Sequence, residues 1–188
     1  MALTTLDSNT ALIVVDLQKG IVGSPSVHPL DQVVERTCAL IAAFRERRLP
    51  IVLVNVAGRA PGRTEQPPGQ TGPRPEGWTD LLPELDQQPG DILVTKRTWG
   101  AFAHTDLEDR LKALGVTQVV ITGVATATGV EATARQAYEQ GFNVALAVDA
   151  MADARAMAHD YSIAHVFPRL GETGTSQEII DLLPTRSI

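Results

Sequence analysis

Apolar residues along this chain fall into short continuous runs that alternate with longer stretches of mixed polarity. Continuous apolar runs are typical of strands that are buried on both faces of a parallel sheet. Five runs predict strands, namely ALIVVD (11–16), IVLVN (51–55), DILVTK (91–96), QVVITG (118–123) and FNVALAVDA (142–150). A short sixth strand is predicted around residues 170–173.

The stretches between these runs predict helices. The stretch at 31–48 carries apolar residues at spacings of three and four, which is the pattern of an amphipathic helix. Gly115 is predicted to cap a helix at its C-terminus, and Thr175 with Glu178 predicts a capping box. The other predicted helices cover 106–115, 130–141, 154–167 and 175–183, with a short one around WTDLLPEL (78–85).

Strands and helices alternate regularly, which indicates right-handed crossovers and a parallel sheet with helices on both faces. Ligands of such α/β proteins bind beyond the carboxyl ends of the strands. We therefore expect functional residues just after the strands, at Asp16, at Asn55, at Lys96 and in the turn that follows Gly123. Residues 57–91 are rich in Gly and Pro, and a loop of this length often has a function.

The length of 188 residues favours one domain that spans residues 1–188. The formal net charge of −6 argues against a nucleic-acid-binding surface, which needs clustered Lys and Arg. The longest apolar runs are far shorter than a membrane span, so we expect no membrane association. A single Cys cannot form an internal disulfide, and the N-terminus does not have the pattern of a signal peptide. These features favour a cytoplasmic protein.

Asp16 and Lys96 are predicted to end the first and third strands at the same edge of the sheet. If both side chains face the crevice, they form an ion pair in a partly dry site. In such a site each group shifts the pKa of the other, and the pair can move protons. A structural salt bridge, or two separately solvated charges, explains the same positions, and position alone does not decide.

The turn GVATATGVEA (123–132) places backbone N–H groups at the start of a helix. These donors and the helix dipole favour a developing negative charge, as in an oxyanion hole. Gly129 lies where the helix begins, and it could equally serve close packing or an unusual backbone conformation. A Thr nucleophile, Thr126 or Thr128, is a weaker alternative because no base lies near either residue in the sequence.

The other candidate groups in the sequence give little support for a catalytic, nucleotide-binding or metal-binding role. Cys38 lies on the apolar stripe of the first long helix, so we expect a small core residue without a catalytic role. The Gly-rich dinucleotide, P-loop and Gly-x-Ser-x-Gly motifs are absent from the sequence. We predict no metal site and no cofactor, because metal-ligand spacing is absent among His28, His104, His159 and His165.

Three motifs together resemble those of the isochorismatase-like hydrolase superfamily: VVDLQKGIV (14–22), TKRTWGAF (95–102) and VVITGVATATGVEATARQAYEQGF (119–142). They occur in the family's order at the predicted strand ends, and the resemblance extends from about residue 10 to residue 180. It implies a Rossmann-like three-layer α/β/α sandwich with a mainly parallel six-stranded sheet. It also implies a homodimer or higher homo-oligomer that acts on a small-molecule substrate.

Most members of this superfamily are amidohydrolases with an Asp–Lys–Cys triad. Asp16 matches the family's Asp, Lys96 matches its Lys, and Gly129 occupies the position of its nucleophilic Cys. The bond between Val124 and Ala125 matches one that is cis in the family, and the amides of Ala125 and Gly129 match its oxyanion-hole donors. Without a thiol at position 129 the acyl-enzyme route is closed.

Isochorismatases resemble this chain in having Gly at the nucleophile position, and they hydrolyse a vinyl ether with the Asp as a general acid. By this resemblance Asp16 must be protonated when it works. Burial would raise the pKa of Asp16, and Lys96 would lower it. The Tyr and Gln that line the isochorismatase pocket fall on Ala125 and Val56 here, so isochorismate is not the expected substrate.

The expected substrate pocket comprises Asn55, Arg63, Trp99 and Phe102. An Arg of the long loop would meet a substrate carboxylate, and Arg59 is the alternative to Arg63. The two aromatic residues either form a wall of the pocket or belong to the core. Nicotinamidase-like members carry an Asp/His metal cluster after the second strand, where this chain reads NVAGRAPGRTEQ without His.

Three hypotheses follow. The first is a hydrolase in which Asp16 and Lys96 transfer protons to substrate and water without a covalent intermediate. The second is a catalytically inactive relative that acts as a ligand-binding module. The third is an amidohydrolase whose Cys has been replaced at Gly129, and the natural coding sequence would decide this case.

Overall fold

The computed structural model describes residues 3–23, 26–65 and 74–184. The strands of these residues are β1 (Thr10–Val15), β2 (Ile51–Val56), β3 (Ile92–Lys96), β4 (Gln118–Val124), β5 (Asn143–Ala152) and β6 (Glu172–Gly174). They form one sheet in the order β3-β2-β1-β4-β5-β6, and every neighbouring pair is parallel. The predicted α/β class and the six-stranded parallel sheet, including its short last strand, are confirmed.

Helices cover both faces of this sheet. Phe44 and Ile179 pack on one face in a core that includes Leu12 of β1. Leu111 and Ala134 pack on the other face, against the alternate residues of β1. The described helices are α1 (Lys19–Val22), α2 (Leu30–Glu46), α3 (Leu107–Ala113), α4 (Glu131–Glu139), α5 (Ala156–Tyr161) and α6 (Ser176–Leu182). Within the described ranges, no helix has the length and apolar character needed to cross a membrane.

The two central strands, β1 and β4, approach closely at their carboxyl ends. Gly123 of β4 pairs with Val15 of β1 and has a φ of +110°. A Cβ at position 123 would lie only 2.1 Å from the carbonyl oxygen of Val15. Only Gly combines this backbone conformation with such a contact. The ends of β1 and β4, where the candidate site residues begin, are therefore held together by backbone contact.

Both predicted helix-end signals are present. The Thr175 hydroxyl accepts a hydrogen bond from the Glu178 N–H, and the Glu178 carboxylate accepts one from the Thr175 N–H. Gly115 follows α3 with a φ of +68°, and its N–H donates to the Lys112 carbonyl. These contacts satisfy backbone groups that helix ends leave without partners. The capping predictions are confirmed.

The short helix predicted around residues 78–85 is wrong apart from a 3₁₀ turn at Pro83–Leu85. Residues 76–79 form a turn, Leu81 makes an isolated antiparallel bridge with Gln18, and the Leu82 N–H donates to the Leu17 carbonyl just beyond β1. This pairing satisfies backbone groups that a helix would have used internally. The segment is therefore fastened across the carboxyl end of β1.

The helix predicted over residues 154–167 is shorter and less regular than its pattern indicates. Regular α-helix ends at Tyr161 and gives way to a π-helical turn (Ser162–Val166) and a 3₁₀ turn (Phe167–Arg169). Pro168 lacks an N–H group and cannot continue a regular helix. The apolar spacing correctly indicated helical structure, but it did not distinguish the three kinds of helical turn.

Candidate active site

Asp16 and Lys96 meet beyond the carboxyl ends of β1 and β3. Asp16 is the first residue after β1, and its φ of +52° lies in a left-handed region that non-Gly residues seldom adopt. The Lys96 Nζ lies 2.7 Å from Asp16 Oδ2, and the two side chains are only 2% and 9% exposed. The structure therefore brings the two side chains together in a nearly dry environment.

Burial governs the protonation of Asp16. Removal from water raises the pKa of Asp16 to about 6, although the charge of Lys96 and its hydrogen bond act to lower that pKa. The second oxygen of the carboxyl group, Oδ1, is buried and has no hydrogen-bond partner among the described residues. The group can therefore gain or lose a proton near neutral pH, and one oxygen is not engaged by the described protein.

The turn between β4 and α4 brings Gly129 against this pair. The bond between Val124 and Ala125 is cis, and a π-helical turn, Thr126–Val130, follows it. A Cβ at position 129 would lie 3.1 Å from Asp16 Oδ2 and 3.1 Å from the Val124 carbonyl oxygen. Gly129 therefore lies beside the Asp16 carboxyl group, on the turn that begins at Ala125.

The buried carboxylate of Asp153 also binds the backbone of this turn. Asp153, which follows β5, is only 4% exposed. Its Oδ2 accepts a hydrogen bond from the Ala127 N–H at 2.9 Å, and its Oδ1 accepts one from the Arg155 N–H at 3.1 Å. A carboxylate that accepts backbone N–H groups fixes their position. Sequence reasoning missed Asp153, because it lies 26 positions from Ala127 and no local pattern links the two residues.

Gln18 is a second residue that sequence reasoning missed. Its side chain is completely buried, and its amide both donates to the Val56 carbonyl at 3.1 Å and accepts from the Val56 N–H at 2.7 Å. It also donates to the Trp78 carbonyl at 3.0 Å. The Gln18 side chain thus extends the pairing between β1 and β2 and fastens Trp78 near the site. The spacing Asp-x-Gln in the first motif was the available signal.

The predicted pocket residues lie in different places. Asn55 is not beside Asp16 but lines a separate cavity of about 200 Å³, where its Nδ2 donates to the Thr79 carbonyl at 2.8 Å. Successive side chains of a strand point to opposite faces, and Asn55 shares its face with Leu53, away from Lys96. The assignment of Asn55 to the substrate pocket stays a prediction. Arg63 is exposed and forms no ion pair with any described residue.

The two aromatic residues differ in burial. The Phe102 ring is buried in the core, with its centroid 5.9 Å from that of Phe142. Trp99 is 66% exposed, and it contributes its backbone, because its carbonyl accepts a hydrogen bond from Lys96 Nζ at 2.6 Å. Of the two interpretations left open by the sequence, the core role applies to Phe102.

Thr126 does have a base beside it, although none lies near in the sequence. Its Oγ1 is 2.8 Å from Nδ1 of His159, and Nε2 of His159 is 3.2 Å from Nε2 of His28. Thr126 is completely buried and His159 is 4% exposed. A substrate cannot reach the Thr126 hydroxyl in this arrangement, so the contact supports the turn rather than a Thr nucleophile.

Cys38 and the histidines form no further reactive cluster. Cys38 lies on α2, where its Sγ donates to the Glu84 carbonyl at 3.2 Å, and burial raises the pKa of the thiol. Within the ranges 3–23, 26–65 and 74–184, no group of three or more His, Cys, Asp or Glu residues is arranged to hold a metal ion. An apolar groove of about 620 Å³ lies beside the turn, and its lining includes Ala127 and Met157 but not Asp16 or Lys96.

The fold is an α/β sheet with a buried Asp16–Lys96 ion pair at its carboxyl edge. The Isochorismatase domain family matches residues 10–178. The chain is 41% identical over 182 residues to the uncharacterized isochorismatase family protein YecD of Escherichia coli O157:H7, covering 93% of this chain and 96% of YecD. It is 36% identical over 143 residues to the streptothricin hydrolase of Streptomyces noursei, covering 76% of this chain and 49% of that protein.

A solved structure of an isochorismatase family protein supports the same family membership. The isochorismatase family protein of Burkholderia thailandensis superposes with a TM-score of 0.91 at 38% identity, covering 96% of this chain and 98% of that one. This chain therefore belongs to the isochorismatase family, whose members are hydrolases.

Proposed function

We propose that this hydrolase acts on a small-molecule substrate without a cysteine nucleophile, and that Asp16 and Lys96 transfer protons to substrate and water. The reaction that we favour is the hydrolysis of a vinyl ether. In this role Asp16 donates the proton, Lys96 holds the carboxyl group, and Gly129 leaves room for the substrate. Water attacks the activated substrate directly.

The protonation of Asp16 is the observation that carries this proposal. A general acid works best when its pKa lies near the operating pH. Burial raises the pKa of Asp16 to about 6, so a useful fraction of the carboxyl groups holds a proton near neutral pH. Lys96 engages only Oδ2, and Oδ1 has no partner among the described residues. Gly129 lies against Oδ2, so Oδ2 is the oxygen that we expect to face the substrate.

The chemistry balances without a covalent intermediate. Asp16 protonates the terminal CH₂ carbon of the C=C–O–R group, which becomes a methyl group and leaves an oxocarbenium ion. The Asp16 carboxylate formed in this step opposes the positive charge of that ion in a dry environment, where electrostatic stabilisation is strong. Water adds to the cationic carbon and returns a proton to Asp16. The hemiketal then collapses to a ketone and the alcohol R–OH.

Gly129 supports this route by its position. A side chain at 129 would begin 3.1 Å from the Asp16 carboxyl group, which is the space that a substrate must enter to meet the proton. The only thiol of the chain, Cys38, lies on α2 and contacts Glu84 instead. Hydrolysis through a thioester therefore has no nucleophile at this turn.

The test uses an aryl 1-carboxyvinyl ether as the probe. In D₂O the proposed reaction releases the phenol together with pyruvate that carries one new deuterium in its methyl group, and both are visible by NMR. Asp16→Asn should reduce the rate by a factor of about 10² to 10⁴, the usual contribution of a general acid. Asp80→Asn is the matched control, because Asp80 is an exposed carboxylate paired with Lys19.

Other outcomes separate the remaining hypotheses. Full turnover in folded Asp16→Asn would reject the proposed role of Asp16. Tight, saturable binding without turnover of vinyl ethers, amides or esters would instead favour a ligand-binding module. If Gly129→Cys gained hydrolysis of amides that the parent protein binds without cleaving, the replaced-nucleophile hypothesis would be favoured.

A further inference from the structure

The hydroxyl group of Thr133 joins two segments of the active site that are far apart in the sequence. Thr133 lies in the first turn of α4 and is completely buried. Its Oγ1 donates to the Gly129 carbonyl at 2.7 Å and accepts from the Ala101 N–H at 3.1 Å. One hydroxyl group therefore fastens the turn that carries Gly129 to the segment that follows Lys96.

The segment after Lys96 is held by α4 at a second point. The Phe102 N–H donates to Gln136 Oε1 at 3.0 Å. The Gln136 side chain also lies so close to Gly100 that a Cβ on Gly100 would be 2.2 Å from it. These contacts fix the segment that contains Trp99, whose carbonyl oxygen is the second acceptor of Lys96 Nζ.

We propose that Thr133 is a positioning residue that sets the Lys96 ammonium group against the Asp16 carboxyl group. Thr133 touches neither side chain and acts through the backbone of the segment that contains Trp99 and through the Gly129 carbonyl. The inference rests on the proposed function in one respect, namely that the Asp16–Lys96 pair is the catalytic pair.

The physical basis is the cost of leaving buried groups without partners. Thr133→Val keeps the shape of the side chain but removes the hydroxyl, so the Ala101 N–H and the Gly129 carbonyl both lose their hydrogen bond to it. A buried unpaired polar group is destabilising, and the backbone relaxes to find another partner. The Trp99 carbonyl moves with this segment, and the Lys96 ammonium group then loses its fixed position beside Asp16 Oδ2.

The test measures the titration of the Asp16 side-chain carboxyl carbon by NMR in the protein without substrate. Lys96 lowers the pKa of Asp16, so a displaced ammonium group leaves this pKa higher than in the parent protein. We expect Thr133→Val to raise the midpoint by a part of the roughly 1–3 units that an adjacent opposite charge provides. Thr133→Ser restores a hydroxyl group and should return the midpoint to the parent value.

Thr37→Val is the matched control. Thr37 is also completely buried and also loses a hydroxyl hydrogen bond, to Thr122 Oγ1 at 3.1 Å, but it lies on α2 on the other face of the sheet. Its melting temperature should fall while the Asp16 midpoint stays unchanged. A purely structural role for Thr133 would give the same result in Thr133→Val.

An unchanged Asp16 midpoint in folded Thr133→Val overturns the inference. If that variant does not fold, Gln136→Leu takes its place, because it frees the Phe102 N–H of the same segment from a less buried position. An unchanged midpoint in Gln136→Leu then overturns the inference instead. The measurement needs no turnover, so failure of the vinyl ether assay leaves this result standing, and the two failures are distinguishable.

Discussion

The Asp16 carboxyl group keeps a pKa of about 6 even though the Lys96 ammonium group lies 2.7 Å from it. Both side chains are withdrawn from water, and removing a carboxylate from water can cost more than a neighbouring cation returns. The balance between these two effects sets the pKa near neutral pH, where the carboxyl group can donate or accept a proton. Each effect can be altered separately.

Removal of the cation should raise the Asp16 pKa further. Lys96→Met eliminates both contributions that lower the pKa of Asp16 and leaves its burial in place. We expect the midpoint to rise by roughly 1–3 units above the parent value, measured by NMR of the carboxyl carbon. Lys19→Met, which removes an exposed ammonium group paired with Asp80, should leave the Asp16 midpoint unchanged. A midpoint that stayed the same or fell in Lys96→Met would show that Lys96 does not lower the Asp16 pKa.

The raised pKa of Asp16 should appear in the pH dependence of stability. The group titrates at 3.8 when unperturbed and at about 6 in the folded protein, so between these values the folded state binds more protons than the unfolded state. The free energy of unfolding therefore falls as pH rises through this interval. Above the interval, the contribution of Asp16 no longer changes with pH. The expected loss is about 3 kcal/mol, since one pKa unit corresponds to about 1.4 kcal/mol.

Urea denaturation between pH 4 and pH 8 measures this loss. Asp16→Asn cannot titrate, and the other groups are common to both proteins. The difference in unfolding free energy between the parent and Asp16→Asn should therefore decline by this amount over the interval. A difference that stayed constant with pH would contradict the raised pKa of Asp16.

A methyl group at position 129 should disturb the site. Its Cβ would meet Asp16 Oδ2, the Val124 carbonyl oxygen and a methyl group of Val15, each at 3.1 Å. Overpacking of this kind costs about 1–3 kcal/mol, so Gly129→Ala should lower the unfolding free energy and the turnover of the vinyl ether probe.

Gly90→Ala serves as the comparison for this change, because a Cβ there has no neighbour within 4 Å. Its effect on stability should stay within about 0.5 kcal/mol. Thermal denaturation of both variants, together with their probe turnover, provides the measurement. Equal stability and turnover in Gly129→Ala and in the parent would contradict the crowding argument.

The His28–His159 contact should be visible as a low His159 pKa. Burial lowers the pKa of His159 below its ordinary value of 6.5, and His28 lowers it further, while Asp160 and Asp153 raise it. Because the folded state favours neutral His159, stability is lost as pH falls through 6.5 toward the folded pKa. His28→Gln should raise the His159 pKa and reduce that loss.

Proton–carbon NMR of the His159 ring follows this titration directly. The pKa in His28→Gln should still lie below 6.5, because burial remains. His104→Asn is the control, since His104 is an exposed histidine with a positive φ that Asn tolerates. A His159 pKa that did not change in His28→Gln would mean that the two rings do not influence each other.

Much of the fold could be predicted because burial on both faces of a parallel sheet requires continuous apolar runs. The same alternation placed Asp16 and Lys96 at one edge of the sheet, although separated by 80 positions along the chain. The end of a strand does not determine which face its side chain takes, so the sequence could not show that Asn55 lines a cavity with Leu53 and Thr79.

The contacts that the sequence could not reveal are those between distant segments. His28 and His159 are 131 positions apart, and no local pattern links them. Thr133 and Ala101 are 32 positions apart, and the hydroxyl that joins them reads in the sequence as an ordinary helical residue. Such contacts depend on how whole elements pack, and local periodicity carries no information about that.

Gly123 sets the distance between β1 and β4 at the active-site edge through main-chain contact alone. The approach of β4 to the Val15 carbonyl leaves no room for any side chain at this position. In a saturation mutagenesis experiment, position 123 should therefore be among the least tolerant, although it has no side chain to offer a substrate. Evolution of new specificity in this scaffold would then proceed through the residues around the edge, while the spacing of the two central strands stays constant.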